Sequence, residues 1–258
     1  MSPDNRDLVQ QQFGPHAEQY VASIHHSTGE SLDRLLELVA PPPDWRVLDV
    51  ATGGGHTALA LAPLVSEVVA TDLTPEMLAA AERFIRAKGF TNVSFRPADA
   101  MALPFAEDEF DLVTCRIAPH HFPDCAQFVR EMARVLRPGG VAALIDNVVP
   151  DNLLAARHIN ALEKLRDPSH NWAYTVADWL SFFAVAELTV TQYETFQKTR
   201  DFDYWNDMMG VDERVRAQLR VLLLQAPAPA RAALQPQVVG GALKFNLTEV
   251  LVIARKPG

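Results

Sequence analysis

Asp49-Val-Ala-Thr-Gly-Gly-Gly55 decides the fold of this chain, because an apolar strand runs directly into a run of glycines. The segment 46–50 is apolar and β-branched, as buried strands are. The Ala- and Leu-rich segment 57–64 that follows is typical of a helix. Glycine allows positive φ and a close approach of a ligand to the start of that helix. The sequence therefore predicts a strand, a glycine turn that binds a nucleotide-like ligand, and a helix.

The same strand-and-helix unit repeats along the first part of the chain. Further strands are predicted at 67–72, 92–96, 110–115 and 141–148. Helices are predicted at 32–39, 75–88 and 125–136. We predict a turn at Arg137-Pro-Gly-Gly140, because proline stops a helix and glycine allows positive φ. Strands that alternate with helices predict a doubly wound, mostly parallel α/β sheet that is covered on both faces.

The pattern changes after residue 150. The segments 151–187 and 202–237 are mostly helical in character, whereas 188–196 and 241–254 have the composition of strands. We expect these two strands to form an antiparallel pair at one edge of the sheet. These two strands would complete a seven-stranded sheet. From the length of the chain we expect residues 1–258 to form one domain.

Composition argues against several classes of function. The 258 residues carry a formal charge of −9 without a Lys/Arg cluster, which argues against a nucleic-acid substrate. No apolar run approaches the roughly 20 residues that cross a bilayer. The N-terminus shows no secretory signal, so we expect a cytoplasmic protein without a membrane span. Cys115 and Cys125 are too few for a disulfide framework, and we expect two reduced thiols in or near the core.

The glycine turn alone does not identify its ligand. The spacing Gly53-x-Gly55-x-x-Ala58 also fits the dinucleotide fingerprint, and Asp72 follows at about the 20-residue distance typical of NAD sites. Asp72 ends the second strand, where it can accept both ribose hydroxyls or cap the next helix, a role that Thr74 also fits. Asp49 can fix the loop or reach a cationic ligand. NAD and S-adenosylmethionine both remain open at this point.

Downstream motifs separate these two ligands. Asp99-Ala100 follows the third strand, the loop 116–124 follows the fourth, and Pro138-Gly-Gly140 precedes the fifth. With the glycine turn, they resemble class I S-adenosylmethionine-dependent methyltransferases, and in particular the ubiquinone/menaquinone-biosynthesis-like branch that methylates small molecules. The resemblance covers nearly the whole chain and rests on the strings 49–58, 103–111, 115–122, 133–140 and 165–170. Ala51 replaces the first glycine of the family motif, and we expect alanine to disfavour positive φ there.

The resemblance implies S-adenosyl-L-methionine as cofactor and a set of residues that bind it. Ala51 and Gly53 would approach its methionine part, and Asp49 would belong to the same cofactor site. Asp72 would hold the ribose, and Leu73 would pack on the adenine. Asp99 and Ala100 would hydrogen-bond the adenine edge, and Arg116 would lie beside the methionine and the sulfonium. Tyr20, in a segment that resembles the family's lid, would cover the cofactor carboxylate.

The resemblance also implies how the chain is organised. The fold would be Rossmann-like, with an N-terminal helical lid at 1–40, a cofactor-binding half at 41–150, and a substrate-facing, sheet-completing half at 151–258. The expected partners are a small-molecule methyl acceptor and a second copy of the chain in a homodimer.

Methyl transfer requires two positioned reactants and, for some acceptors, a base. We predict catalytic roles for His120, His121, His170 and Asp146, since the ordinary pKa of histidine lies near neutral pH. Each residue also has a possible structural role: the histidines can hydrogen-bond the backbone, and Asp146 can cap the next segment. Because adjacent side chains point in different directions, we expect only one of His120 and His121 to face the pocket. A metal site of these two and Cys125 has no standard zinc spacing, and we expect no metal.

The sequence defines the acceptor less well. Aromatic residues at 172–183 and 204–205 can line a flat apolar pocket or pack the core. For Trp179, Phe182 and Phe183, helical spacing favours the core. We expect methylation of carbon or oxygen in a small metabolite that is apolar, aromatic or prenylated. The rivals are a non-catalytic S-adenosylmethionine-binding protein and an NAD-dependent oxidoreductase, which predicts a Tyr-x-x-x-Lys pair that the sequence lacks.

Overall fold

The computed structural model describes residues 5–22 and 29–258, except for the side chains of Gln19, Tyr20 and Ala22. The strands are β1 (Arg46–Val50), β2 (Glu67–Asp72), β3 (Val93–Pro97), β4 (Phe110–Arg116), β5 (Leu136–Val148), β6 (Thr189–Asp201), β7 (Gln237–Val239) and β8 (Ala242–Arg255). The α-helices of the described residues are α1 (Asn5–Phe13), α2 (Ala17–Ala22), α3 (Glu30–Val39), α4 (His56–Leu61), α5 (Pro75–Ala87), α6 (Cys125–Val135), α7 (Leu153–Arg166), α8 (Val176–Val185), α9 (Phe202–Asp207), α10 (Glu213–Leu224) and α11 (Ala228–Leu234). Short 3-10 helices lie at Gly14–His16 and Pro119–His121.

The sheet has the strand order β3-β2-β1-β4-β5-β8-β6, and β7 pairs with β8. Strands β1 to β5 are parallel, whereas β8 runs antiparallel to β5 and to β6. This arrangement confirms the mostly parallel sheet with an antiparallel C-terminal pair. The short β7 adds an eighth strand. Its three residues are all exposed, so no alternation of apolar side chains indicated it in the sequence.

The strand order reverses beside β1. From β1 the chain continues through β2 to β3 on one side, and then places β4 on the other side of β1. The carboxyl ends of β1 and β4 therefore flank a crevice, which is where open α/β sheets bind ligands. The glycine turn after β1 and Arg116 at the end of β4 both lie at this crevice.

Apolar helices cover both faces of the sheet. Leu35, Leu61 and Ile85, from α3, α4 and α5, are fully buried in one cluster. Phe128 of α6 and Trp179 of α8 are fully buried in the other. Each such side chain stabilises the fold by about 1.5–3 kcal/mol. The crevice is therefore built on a rigid, well-packed platform.

The segment 137–140 belongs to β5 and does not form the predicted turn. Leu136 begins the strand and pairs with Phe110 across an irregularity in the β4–β5 register. The Gly139 N–H donates to the Lys256 carbonyl, and the Lys256 N–H donates to the Gly140 carbonyl, both at 3.0 Å. The predicted turn is replaced by an irregular stretch of strand that has no partner in β4 and is held by the C-terminal segment. Gly139 has the positive φ, 78°, that the prediction expected of a glycine there.

Within residues 5–22 and 29–258, no helix is both long and apolar enough to cross a membrane. Cys115 and Cys125 are buried free thiols, as expected from their low number.

Candidate active site

The glycine turn closes the carboxyl end of β1. Its backbone has positive φ at Ala51 (52°), Gly53 (55°) and Gly55 (80°). A Cβ atom on Gly55 would lie 3.0 Å from both Ala81 Cβ and Ile85 Cδ1. Glycine at this position therefore allows α5 to pack closely against the turn.

Ala51 adopts the left-handed conformation that we expected alanine to disfavour. Its φ of 52° keeps the path of a glycine turn even though a Cβ atom is present. Such a conformation costs an L-residue about 1–2 kcal/mol. The surrounding turn therefore holds Ala51 in a strained state.

Replacing Ala51 with glycine should raise the free energy of unfolding by about 0.5–1 kcal/mol. Relief of left-handed strain outweighs the greater freedom of glycine in the unfolded chain. Urea unfolding measures the change. The matched control is Ala79→Gly on the exposed face of α5, which should lower stability by about 1 kcal/mol. An Ala51→Gly protein less stable than wild type would show that the conformation carries no strain.

Asp49 is buried at the end of β1 and fixes the turn. Its two carboxylate oxygens accept hydrogen bonds from Thr52 Oγ1 and Thr114 Oγ1, each at 2.7 Å. Burial raises the pKa of Asp49 to about 6, although both hydroxyl bonds oppose the shift. Asp49 thus joins β1, the turn and β4. Of the two roles left open by the sequence, it fills the loop-fixing one, and it also lines the cavity.

Asp72 links the turn to the start of α5. Its Oδ2 accepts the Gly53 N–H and its Oδ1 accepts the Thr74 N–H, both at 2.9 Å. Burial raises the pKa of Asp72, and these two N–H groups partly offset the shift. Each carboxylate oxygen keeps acceptor capacity for a ligand, because it has more than one lone pair. Asp72 lines the same cavity as the turn.

The helix α1 covers the residues beyond β2 and β3. Leu73, Asp99 and Ala100 line the cavity together. Arg6 Nη2 lies 2.9 Å from Asp99 Oδ2, and Gln10 Nε2 donates to the Leu73 carbonyl at 2.9 Å. The N-terminal segment therefore lies over the part of the cavity that the sequence predicted for adenine.

Arg116 lies at the end of β4 on the cavity wall. Burial lowers the pKa of its guanidinium, while the charges of Glu249 and Asp49 oppose the shift. Arg116 lines the same cavity as the glycine turn, and its contact with a cofactor stays a prediction. The side chain of Tyr20 lies outside the described residues, and its role stays a prediction.

One cavity joins this cofactor half to a second half. The second half is formed by the 3-10 helix Pro119–His121, α7, the end of β6 and α9. His120, His121 and His170 all line it, with ring centroids 4.2 Å apart for His120–His121 and 5.5 Å for His120–His170. The prediction that only one of the adjacent pair faces the pocket was wrong. A 3-10 helix rotates successive side chains by about 120°, less than the half-turn of a strand.

Asp146 holds the ring of His120. His120 Nδ1 lies 2.6 Å from Asp146 Oδ1, and both side chains are buried. Burial lowers the pKa of His120, but the charge and the hydrogen bond of Asp146 outweigh it, so the pKa is raised overall. Asp146 lies behind the ring and off the cavity wall. Nε2 is therefore the ring nitrogen of His120 that can meet a ligand.

His121 and His170 are held in the neutral form. Burial, followed by the charge of His120, lowers the pKa of His121 to about 3 and that of His170 to about 2. His170 Nε2 donates to Asn160 Oδ1 at 2.8 Å, because the amide nitrogen of Asn160 is bonded to two carbonyls. His121 Nδ1 lies 3.2 Å from Ser169 Oγ. Neither ring takes up a proton near neutral pH, which separates both from His120.

Cys125, which the sequence analysis weighed as a metal ligand with His120 and His121, bonds to the backbone in the structure. Its Sγ donates to the Pro119 carbonyl at 3.2 Å, and burial raises the pKa of the thiol. Among the described side chains, no group of three or more His, Cys, Asp and Glu residues is arranged to hold a metal ion.

Comparison with known proteins identifies the family. A family model described as a methyltransferase domain matches residues 48–144, from within β1 to within β5. The chain is 35% identical over 219 residues to the uncharacterized methyltransferase YcgJ of Bacillus subtilis (strain 168). The aligned residues make up 85% of this chain and 87% of that protein. The chain belongs to the methyltransferase family.

One solved structure and a second sequence relative agree with this assignment. A candidate methyltransferase from Bacillus halodurans C-125 superimposes with a TM-score of 0.85 and 39% identity, covering 89% of this chain and all of that one. A demethylmenaquinone methyltransferase from Deinococcus radiodurans is 38% identical over 151 residues, which cover 55% of this chain and 61% of that protein. The protein is therefore a class I methyltransferase with the Rossmann-like fold of that class, and the class implies use of S-adenosylmethionine.

Six charged residues of the methyltransferase cavity were not found from the sequence. They are Arg6, Glu163, Arg166, Asp167, Arg200 and Asp201. Arg6 comes from α1, Glu163 and Arg166 lie one turn apart on α7, and Arg200 is near the end of β6. Isolated charges at these spacings are typical of solvated faces, and no local signal marked them as cavity residues.

The aromatic residues of the C-terminal half divide between the cavity and the core. Tyr204 and Trp205 of α9 line the cavity. Trp179 and Phe183 are fully buried, and Phe182 packs against their cluster. The helical spacing had correctly favoured the core for these three residues.

Proposed function

We propose that this protein transfers a methyl group from S-adenosylmethionine to carbon or oxygen of a small molecule, with His120 as general base. The observation that carries the proposal is the 2.6 Å hydrogen bond between His120 and Asp146, in a cavity shared with the glycine turn. A hydroxyl or a carbon acid needs such an oriented base to lose its proton.

The residues around the glycine turn fit the proposed cofactor. Asp72 keeps acceptor capacity for two ribose hydroxyls after binding two backbone N–H groups. The bound cofactor supplies a methyl group that is activated by a positively charged sulfur. Asp49 and Asp72 place negative charge on the wall that would face this cation. The other residues proposed to hold the cofactor are Tyr20, Ala51, Gly53, Leu73, Asp99, Ala100 and Arg116.

His120 and Asp146 divide the proton chemistry between them. His120 Nε2 takes the proton of the acceptor as the acceptor atom is methylated. Asp146 accepts the hydrogen bond of Nδ1–H and thereby keeps the lone pair on Nε2. The same carboxylate stabilises the positive charge that develops on the ring. His121 and His170 stay neutral, and we assign them to positioning of His120 and the acceptor.

The second half of the cavity favours an acceptor with a flat apolar body. Tyr204, Trp205, Met208 and Met209 line it. Aromatic and thioether side chains bury planar apolar surface well. The partial similarity to a demethylmenaquinone methyltransferase also supports a ring-containing acceptor.

Two measurements test the proposed function. Calorimetric titration should show binding of S-adenosylhomocysteine and no binding of NADH. Radiolabelled S-adenosylmethionine, incubated with the protein and a protein-free metabolite extract, should yield a labelled small molecule. Binding of NADH alone would favour an oxidoreductase. Binding of S-adenosylhomocysteine without a labelled product from any extract would favour a cofactor-binding protein without turnover.

Replacing Asp146 with asparagine should shift the pH dependence of kcat. In the wild type, Asp146 raises the pKa of His120, so activity rises with pH through a value above the ordinary one. Asparagine removes this negative charge, and only the more weakly acting charges of Glu163 and Asp167 then oppose the effect of burial, so the acid limb moves to lower pH. Loss of the charge that stabilises the protonated ring should also lower the plateau by about tenfold or more. An unmoved acid limb, measured as initial rate against pH, would show that His120 is not the titrating base.

A further inference from the structure

The second half of the cavity contains two arginines, Arg166 and Arg200, that differ in their contacts. Arg166 Nε and Nη2 donate to the Trp205 carbonyl at 3.0 and 2.8 Å. Arg166 Nη1 lies 3.6 Å from Glu163, and the guanidinium carbon lies over the Trp205 ring, 4.3 Å from its centroid. Two of the five N–H donors of Arg166 are therefore hydrogen-bonded within the protein, and its charge is paired with Glu163.

Arg200 has much weaker contacts. Among the described residues, its one side-chain hydrogen bond runs from Nη2 to Glu249 Oε1 at 3.4 Å, which is long for such a bond. Glu249 Oε2 accepts from Ser31 Oγ at 2.7 Å and lies 4.0 Å from Lys198 Nζ. One carboxylate is thus shared by two cations and a hydroxyl. The charge of Arg200 is only partly balanced.

The position of Arg200 makes this imbalance costly. Its side chain is 21% exposed and lines the cavity. Burial lowers the pKa of Arg200 even though the charges of Glu249 and Glu163 oppose the shift. A guanidinium has five N–H donors in a planar fork that matches the two oxygens of a carboxylate or phosphate. An anion in the cavity would satisfy donors that the described chain leaves unused.

We propose that Arg200 binds an anionic group of the methyl acceptor, a carboxylate or a phosphate, and thereby determines which acceptors are used. The inference rests on the proposed function, since it assigns a substrate class to the same cavity. Helix α9 begins two residues after Arg200, so Tyr204 and Trp205 lie close to it in the chain. The acceptor therefore combines an apolar body against α9, an acidic group at Arg200 and a methylated atom near His120.

Three variants test the role of Arg200 with labelled S-adenosylmethionine and the metabolite extract. Arg200→Gln should raise KM for the acceptor by about tenfold or more and change kcat by less than about threefold. Its affinity for S-adenosylhomocysteine should stay within about twofold of wild type. Arg200→Lys should be intermediate, because it keeps the charge but not the paired donors. Lys198→Gln is the matched control, since Lys198 approaches the same Glu249 but lies off the cavity wall.

The charge of the labelled product provides a second, independent readout. The product should bind an anion-exchange resin at mildly alkaline pH. Phosphatase treatment of the extract should abolish the labelled product only if the anionic group is a phosphate ester.

A neutral product, or an unchanged KM in Arg200→Gln, would overturn the inference while methyl transfer stands. Weakened S-adenosylhomocysteine binding in Arg200→Gln would assign Arg200 to the cofactor carboxylate and also overturn it. Absence of any labelled product would instead overturn the proposed function, and the inference with it. If Arg200→Gln does not fold, the KM of Arg200→Lys for the acceptor and the charge of the labelled product test the inference in its place.

Discussion

Replacing His120 with glutamine is expected to lower kcat by about 10²- to 10⁴-fold, the range over which a general base contributes. Glutamine keeps a polar side chain opposite Asp146, but it cannot take up a proton. Affinity for S-adenosylhomocysteine should change by less than about twofold, because His120 lies beyond the glycine turn. Initial rates with labelled S-adenosylmethionine and calorimetric titration of S-adenosylhomocysteine measure the two effects separately.

The control for this variant is His158→Gln. His158 Nε2 lies 3.1 Å from the Leu222 carbonyl and outside the cavity wall, so glutamine there should preserve the rate. A His120→Gln protein that keeps its rate within about threefold would show that the acceptor needs no base. Transfer would then depend on the positioning of the two reactants alone.

Replacing Asp72 with asparagine is expected to raise the dissociation constant of S-adenosylhomocysteine by about 100-fold. An amide has one accepting oxygen, so one of the N–H groups of Gly53 and Thr74 would face another N–H group. The ribose would also lose an ionised acceptor. A 100-fold rise in the dissociation constant corresponds to a loss of about 2.7 kcal/mol of binding free energy, which lies within the range of one charge-assisted hydrogen bond.

Asp124→Asn is the matched control for the Asp72 variant. Asp124 also accepts a backbone N–H, that of Gln127 at 2.8 Å, at the start of α6. It lies off the cavity wall, so this variant should bind S-adenosylhomocysteine as the wild type does. An Asp72→Asn protein that binds within about threefold of wild type would remove Asp72 from the proposed cofactor site.

The cofactor half could be predicted because its signals are local. Strands β1, β2 and β4 are short and largely buried, and the stripe of α6 that contains Phe128 and Met132 follows helical spacing. Asp72 ends its strand in sequence and therefore lies at the crevice in space. The strand β7 gave no such signal, because all of its side chains face solvent.

The second half of the site depends on contacts that no local pattern specifies. The His120–Asp146 pair requires the 3-10 helix after β4 to lie beside the carboxyl end of β5. Arg200 reaches the cavity through the pairing of β6 with β8, where it lies opposite Phe245. The positive φ of Ala51 arises from the path of the whole turn, which outweighs the preference of the residue. Such features become visible only when distant segments are brought together.

Helix α1 contacts the two halves of the cavity at once. Asn5 Nδ2 donates to the carbonyls of His121 and Ser169 at 2.5 and 3.1 Å, while Arg6 pairs with Asp99. We propose that release of this one helix uncovers both halves in a single movement. Partly exposed ionic contacts of this kind are weak and are screened by salt. On this proposal, the rate at which ligands enter and leave is expected to depend on ionic strength, whereas the rate of methyl transfer beneath the helix is not.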